Sequence, residues 1–351
     1  MTSILVTGGS GFIGRYMCER LVTLGFDVVI LDLVRPSWPL GPMKFVQGDV
    51  RDAEAVRSVL HGCDEVIHLA AAHHDFGITK DTYFDVNEGG SRVLLAEMAK
   101  AGIRRVCFYS SVAVYGSAPE PRTEDVIAAP TSPYGASKLA GEEEFRRWAL
   151  NGDDRRALII RPSVVFGPRN FANMFALVRQ IHSGIYVPIG PGTNVKSLAY
   201  VENLIDATMM LRARTDAPAF DVYNYVDLPN LTSREICDTI SEALGRRPAS
   251  LALPLGVAYA LAAPFDAMIR LTGRNLPISS ARIKKLATMR TKFEAEKVRA
   301  AGFEPTVALR EGIHRMARWF LDEGRRQSPQ SHLPPERVGA VAKRTRRAAG
   351  A

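Results

Sequence analysis

Through the first half of the chain, short runs rich in Val, Ile and Leu alternate with longer stretches whose apolar positions recur every three to four residues. The runs at 4–7, 28–32, 44–47, 65–69, 106–110 and 157–161 have strand length. Most are apolar without alternation, as expected of parallel strands covered on both faces. The stretches at 11–24, 53–60, 82–101 and 133–150 are long or periodic enough to be the crossover helices between them. This rhythm predicts an α/β fold, a Rossmann-type doubly wound parallel sheet over residues 1–167. After Gly167 the elements shorten, with strands at 196–201 and 222–225 and helices at 171–183, 233–244 and 307–322. Pro and Gly punctuate them, and together they read as a smaller C-terminal α/β substrate lobe over residues 168–324. Residues 325–351 lack periodicity and are expected to be a disordered basic tail.

Composition narrows the class of protein. With 46% apolar and 23% charged residues among 351, the chain can bury a sizeable core and is not a disordered one. The net charge of +8 is concentrated: residues 325–351 hold seven Lys and Arg against one acid, so the folded body is nearly neutral. A nucleic-acid partner, which needs basic charge gathered on the folded surface, is not expected. Cys18, Cys63, Cys107 and Cys237 are too far apart for a zinc site and read as reduced core residues. No basic, then apolar leader precedes the glycine-rich motif at Gly8, which predicts a cytoplasmic protein. The most apolar stretch, 251–265, contains Pro254 and Pro264 and falls short of the roughly 20 residues that span a bilayer. It reads as a helix covering a pocket, with contact at a membrane surface as the lesser reading.

The motif Thr7-Gly8-Gly9-Ser10-Gly11-Phe12-Ile13-Gly14 follows the first strand and opens the first helix. Backbone can there approach a pyrophosphate, and the helix start offers unpaired N–H groups, so Gly8, Gly11, Phe12, Ile13 and Gly14 are candidate dinucleotide contacts. Asp32 stands 18 residues beyond Gly14, at the end of the second strand. A carboxylate there accepts hydrogen bonds from the adenosine ribose and repels a 2′-phosphate, which favours NAD over NADP, although Arg35 nearby could relieve part of that repulsion.

Tyr134 and Lys138, four residues apart in a helical stretch, leave the same face. An ammonium about 5 Å from a phenol oxygen, at an effective dielectric near 20, is worth about 3 kcal/mol and makes the phenol a workable base. His73, His74 and Asp75 follow the fourth strand, where His73 is a candidate contact to a sugar or another alcohol. With no third ligand at helical spacing, no metal site is expected.

These motifs resemble the extended short-chain dehydrogenase/reductase superfamily, and within it the NAD-dependent epimerase/dehydratase family, from about residue 4 to about residue 320. The resemblance implies that Asp49 and Val50 contact adenine, that Ala70, Ala71 and Ala72 lie beneath the cofactor, and that Asn87 faces it. It also implies that Ser111 holds the reacting oxygen beside Tyr134 and Lys138, and that the protein is a homodimer packed through the helices beginning near Thr82 and Pro133. Relatives that eliminate water, and relatives that decarboxylate, carry carboxylates just after this Ser. Here Val112 and Ala113 stand instead, which disfavours both reactions. Lys196 falls where sugar-nucleotide epimerases place an Arg on the pyrophosphate, whereas Val164 replaces an Asn of theirs that touches substrate.

The leading expectation is an NAD-dependent nucleotide-sugar epimerase, a 4-epimerase acting on a UDP-sugar. Its alternatives are an alcohol oxidoreductase similar to the 3β-hydroxysteroid dehydrogenases and a non-enzymatic NAD-sensing regulator.

Overall fold

A computed structural model describes residues 2–73, 77–272, 279–280, 283 and 291–327. His74, Asp75 and the tail from Ser328 onward lie outside the described residues. The main sheet contains β1 (Ser3–Thr7), β2 (Asp27–Asp32), β3 (Lys44–Gln47), β4 (Glu65–His68), β5 (Arg105–Tyr109), β6 (Arg156–Pro162) and β10 (Phe220–Tyr225). All are parallel, in the order β10-β6-β5-β4-β1-β2-β3. The order reverses between β1 and β4, which opens a crevice at the carboxyl ends of these strands, where ligands bind in such sheets.

Successive side chains leave opposite faces of a strand, and β1 shows the consequence. Ile4 and Val6 join a layer with Met17 and Leu21 of α1 (Phe12–Thr23) and Leu204 and Leu211 of α7 (Val201–Ala213). Leu5 joins the opposite layer with Val56 of α2 (Ala53–Leu60), Leu94 and Met98 of α4 (Gly90–Lys100), and Phe145 and Trp148 of α5 (Pro133–Leu150). Each fully buried aliphatic side chain of this kind contributes about 1.5–3 kcal/mol.

The lobe has its own core. α6 (Asn173–Ser183), α8 (Ser233–Ala243) and the terminal helix Leu309–Asp322 pack Phe175, Ile240, Met316, Trp319 and Phe320 together. Two small sheets tie the lobe down, β7 (Val164–Phe166) with β9 (Leu198–Tyr200) and β8 (Val195–Lys196) with β11 (Leu231–Thr232). A capping box starts α8: the Thr232 hydroxyl accepts from the Glu235 N–H, and the Glu235 carboxylate accepts from the Thr232 N–H.

The structure departs from the sequence reading in several places. The chain crosses the expected division at residue 167, because α7 and β10 return to the first domain and β10 pairs with β6. The stretch at 82–101 is not one regular helix: α3 (Lys80–Phe84) and α4 are joined by a π-helical turn, Asp85–Gly89, that carries Asn87. Residues 196–201 divide between β8 and β9, and Val201 already opens α7. Asp227 accepts from the Tyr200 N–H at 2.6 Å and from Asn203 Nδ2 at 2.9 Å, turning strand into helix there. The terminal helix starts at Leu309 with Ala308 as its extended N-cap, two residues after Val307, whose N–H is bound by Asn203 Oδ1. The apolar stretch at 251–265 lies from residue 255 onward in α9 (Leu255–Thr272), which runs through Pro264 and does not line the main cleft. Gly324–Arg326 forms a 3₁₀ turn that reaches past the expected start of the tail at residue 325.

Candidate functional site

At the carboxyl edge of the sheet lies a cleft of about 740 Å³. Its first wall is the turn between β1 and α1. Gly8 has φ +72°, and a Cβ there would stand 2.5 Å from the Ala70 nitrogen. A Cβ on Gly14 would stand 2.4 Å from the Gly8 carbonyl oxygen. Glycine is thus required for the loop to close against β4 and against itself, leaving bare backbone at the start of α1. Gly14→Ala should push the loop outward and weaken NAD binding at least about tenfold in a calorimetric titration. Unchanged affinity would show that the loop does not cradle the cofactor.

Asp32 ends β2 on this wall, and its carboxylate accepts from the Ser10 N–H at 3.0 Å. Burial pushes the Asp32 carboxyl up, opposed by the N–H groups of Ser10, Val34 and Leu33. Arg35, which could have relieved part of the repulsion of a 2′-phosphate, instead lies over the Phe45 ring and does not line the cleft. Asp49 and Val50 follow β3 and line the cleft, with the Asp49 carboxylate held by the Arg51 guanidinium at 2.6 Å. Ala70 and Ala71 form the floor after β4.

The second wall holds the candidate catalytic side chains Ser111, Tyr134 and Lys138. Ser111 follows β5, and its Oγ accepts from the Ala113 N–H at 3.1 Å. That bond uses a lone pair and leaves the hydroxyl proton to be donated to a reacting oxygen. Ser132 caps α5 by accepting from the Gly135 N–H, and Pro133 follows with its φ suited to a first turn. Tyr134 therefore stands at the positive end of an 18-residue helix, which favours a phenolate.

Lys138, one turn on, is 2% exposed and donates to the Tyr109 carbonyl at 2.8 Å. Burial pushes its ammonium down to about 7, against the pull of Glu142, so this charge titrates near neutrality. His73 lines the same wall, with Nδ1 3.3 Å from the Ala71 carbonyl.

Two expected contacts take other places. Asn87 is fully buried and spends its amide on the Ala72 N–H, the Ala72 carbonyl and the Ser137 hydroxyl. It fastens the end of β4 to α5 and does not line the cleft. Lys196 sits on β8, outside the cleft lining. The sequence reading also missed residues. Ser10 ties the glycine turn to β2 through its N–H and through its hydroxyl on the Val34 carbonyl, as a Gly-Ser-Gly turn beside an acid could have suggested. Ser163 Oγ is buried at the cleft without a hydrogen-bond partner. Arg169 and Phe171 also line the cleft: Arg169 lies in a loop where no periodicity marks it, and Phe171, expected to open a helix, lies in the loop before α6, which starts at Asn173.

Behind the site, His68 is fully buried, with Nδ1 2.6 Å from Thr7 Oγ1. Burial, reinforced by Lys138, pushes its imidazole down to about 3. The unfolded chain then binds one more proton than the folded one from about pH 6.5 down to about 3, so stability falls as pH falls through that window. The slope from this group is at most about 1.4 kcal/mol per pH unit. Urea midpoints for His68→Gln should fall less steeply than the parent's between about pH 6.5 and about 4, and parallel curves would refute this.

The distribution of charge fits a dinucleotide. From β2 to β5 is three strand spacings, about 14 Å, so Asp32 and the Ser111–Tyr134–Lys138 group stand at opposite ends of one cleft. The glycine turn lies between them, and the unpartnered Ser163 hydroxyl sits at the end of β6 beyond.

The profile of the NAD dependent epimerase/dehydratase family matches residues 4–225. The chain is 36% identical over 314 residues to the N-acetyl-alpha-D-glucosaminyl-diphospho-ditrans,octacis-undecaprenol 4-epimerase of Escherichia coli O157:H7, covering 89% of this chain and 93% of that protein. It is 28% identical over 337 residues to the UDP-glucose 4-epimerase of Vibrio cholerae, covering 92% and 97% of the two chains. The solved UDP-glucose 4-epimerase of Thermus thermophilus in complex with NAD superposes with a TM-score of 0.71 at 25% identity, covering 92% and 100%. The chain belongs to the NAD dependent epimerase/dehydratase family, as an enzyme with NAD as its cofactor.

Proposed function

We propose that the protein inverts C4 of a sugar joined to a diphosphate, with a nucleotide sugar, in particular a UDP-sugar, as substrate. The observation that carries this reading is the convergence of Ser111, Tyr134 and Lys138 on the cleft that also holds the glycine turn and Asp32. Bound NAD supplies a reversible acceptor for the hydride of C4. Tyr134 takes the proton of the C4 hydroxyl, Ser111 donates a hydrogen bond to the same oxygen, and Lys138 supports the phenolate with its positive charge. After the 4-keto sugar turns over in the cleft, Tyr134 returns the proton as C4 regains hydrogen on its other face. The sugar is neither oxidised nor reduced overall.

Among the described residues, the carboxylates lining the cleft are Asp32 and Asp49, both at the far end, on or after strands about three and four spacings from the one that precedes Ser111. An elimination of water at the sugar would need an acid and a base beside Ser111, where Val112 and Ala113 stand. That supports epimerisation over dehydration. The complete Ser, Tyr and Lys set weighs against a purely sensing role.

A second reading replaces the nucleotide carrier by a polyprenol. It is favoured by the polyprenol-linked substrate in the name of the Escherichia coli relative and by the place of Lys196 outside the cleft lining. Incubation with UDP-GlcNAc, UDP-glucose and a polyprenyl-diphospho-GlcNAc, followed by product chromatography and ultraviolet absorbance of NADH, tests both readings. Interconversion of 4-epimers without accumulation of NADH is the expected result. NADH released in step with oxidation of an apolar alcohol would favour the dehydrogenase alternative, and no conversion of any of the three sugars would overturn the proposal.

A further inference from the structure

The surface of α9 has no counterpart elsewhere among the described residues. One face is buried: Ala258 and Ala262 pack against Ile189, Leu253 and Tyr259. The other face carries Val257, Leu261, Pro264, Met268 and Leu271, spaced four, three, four and three residues apart, which puts them on one stripe. All five are exposed, Leu261 at 60% and Leu271 at 87%. Among the exposed positions of α9 whose side chains are described, none is charged. Asp266 is half-buried and turned toward the Ser280 N–H at 3.1 Å.

The apolar surface continues beyond the helix. Leu251 is 84% exposed just before it, and backbone bonds from Leu253 to Pro188 and from Gly190 to Leu253 bring the segment with exposed Ile185 and Val187 alongside. A helix apolar on both faces at a protein surface calls for an apolar medium or a partner.

Charge selects between these occupants. Arg246 and Arg247, both exposed, precede the segment. From Ala267 to Phe293 the sequence contains seven Lys and Arg and no acid. An anionic headgroup layer complements basic residues that flank an apolar helix, among the described ones the exposed Arg246 and Arg247, whereas a second copy would offer them only their own like charge. No described helix is long and apolar enough to cross a membrane. An 18-residue helix lying flat would extend about 27 Å along the surface.

We propose that α9 seats the protein on the surface of an anionic bilayer, with its apolar stripe in the headgroup–acyl boundary and the flanking basic residues on lipid phosphates. The lobe that carries α9 also supplies Phe171 and Ala172 to the cleft, so docking would hold the site at the membrane surface. This goes beyond the proposed activity: seating on lipid can hold or fail whichever diphosphate carrier the site accepts.

The test is flotation of the full chain with vesicles of phosphatidylglycerol and phosphatidylethanolamine, beside vesicles of phosphatidylcholine alone. The parent protein should float with the anionic vesicles and much less with the neutral ones. The double variant Leu261→Glu/Leu271→Glu should partition at least tenfold less, with an unchanged melting temperature and unchanged NAD affinity. Because both positions are exposed, the fold should tolerate the charges. A single milder variant, Met268→Gln, should give a smaller loss in the same direction. The proposal is overturned if the parent stays in the soluble fraction with anionic vesicles, or if the double variant floats as the parent does. It is overturned equally if the substitutions change only the oligomeric state, which would assign the face to a second copy. Sugar epimerisation measured on the same samples without lipid reports separately on the proposed activity.

Discussion

Replacing Tyr134 by Phe is expected to lower turnover roughly 10²- to 10⁴-fold, the range lost with a positioned general base. The substitution removes one oxygen and leaves the ring. That ring packs with Ile78 and Tyr83, its centroid 6.2 Å from that of Tyr83, so the fold and the affinity for NAD should persist. Turnover and NAD titration on the same preparation separate the two effects. A variant as fast as the parent would mean that the phenol does not move the proton. Loss of NAD binding along with activity would mean that Tyr134 acts through the cofactor site alone.

The largest expected effect on stability lies just behind the reactive wall. Arg161 and Glu142 form an ion pair at 2.6 and 2.9 Å, 6% and 4% exposed. The pair is extended by hydrogen bonds from the Ser110 hydroxyl to Glu142 and from Arg161 to the Tyr115 hydroxyl, which donates in turn to Asn224. Arg161→Met should destabilise the protein by about 3–5 kcal/mol, because it leaves the Glu142 carboxylate buried without its cation. The double variant Arg161→Met/Glu142→Leu should recover much of that loss, since the cost comes from the charge left unpaired. Urea midpoints of parent, single and double variants measure this. A single variant within about 1 kcal/mol of the parent would show that water or a rearrangement compensates the charge. Glu142 is also the group that opposes burial at Lys138, so the network adjusts the Lys138 ammonium as well as holding β6 to α5.

Those elements and contacts differ in how openly the sequence displays them. The parallel strands were legible because burial on both faces leaves no polar position in runs such as Ile4-Leu5-Val6. Gly8 and Gly14 were legible because only glycine fits where a Cβ would meet backbone, and Asp32 because it stands at the end of the next strand. Tyr134 and Lys138 followed from helical spacing. Pairing between distant segments carries no such local signature. Nothing in residues 220–225 announces that they return to lie beside β6, so the expected division at residue 167 missed them. The π turn at Asp85–Gly89 was hidden for a related reason. It is sustained by hydrogen bonds from Asn87 to Ala72 and Ser137, contacts 15 and 50 residues away in sequence. Loop residues such as Arg169, and Lys196 with its place on β8, depend on tertiary geometry that periodicity does not encode.

In the proposed mechanism hydrogen leaves and returns to the same sugar carbon inside one cleft. A substrate carrying deuterium at C4, converted in ordinary water, tests it most directly by nuclear magnetic resonance or mass spectrometry of the product. The 4-epimer should retain the label at C4 almost completely. Loss of the label to water would contradict the account, because it would show that C4 is inverted by removing a proton from carbon.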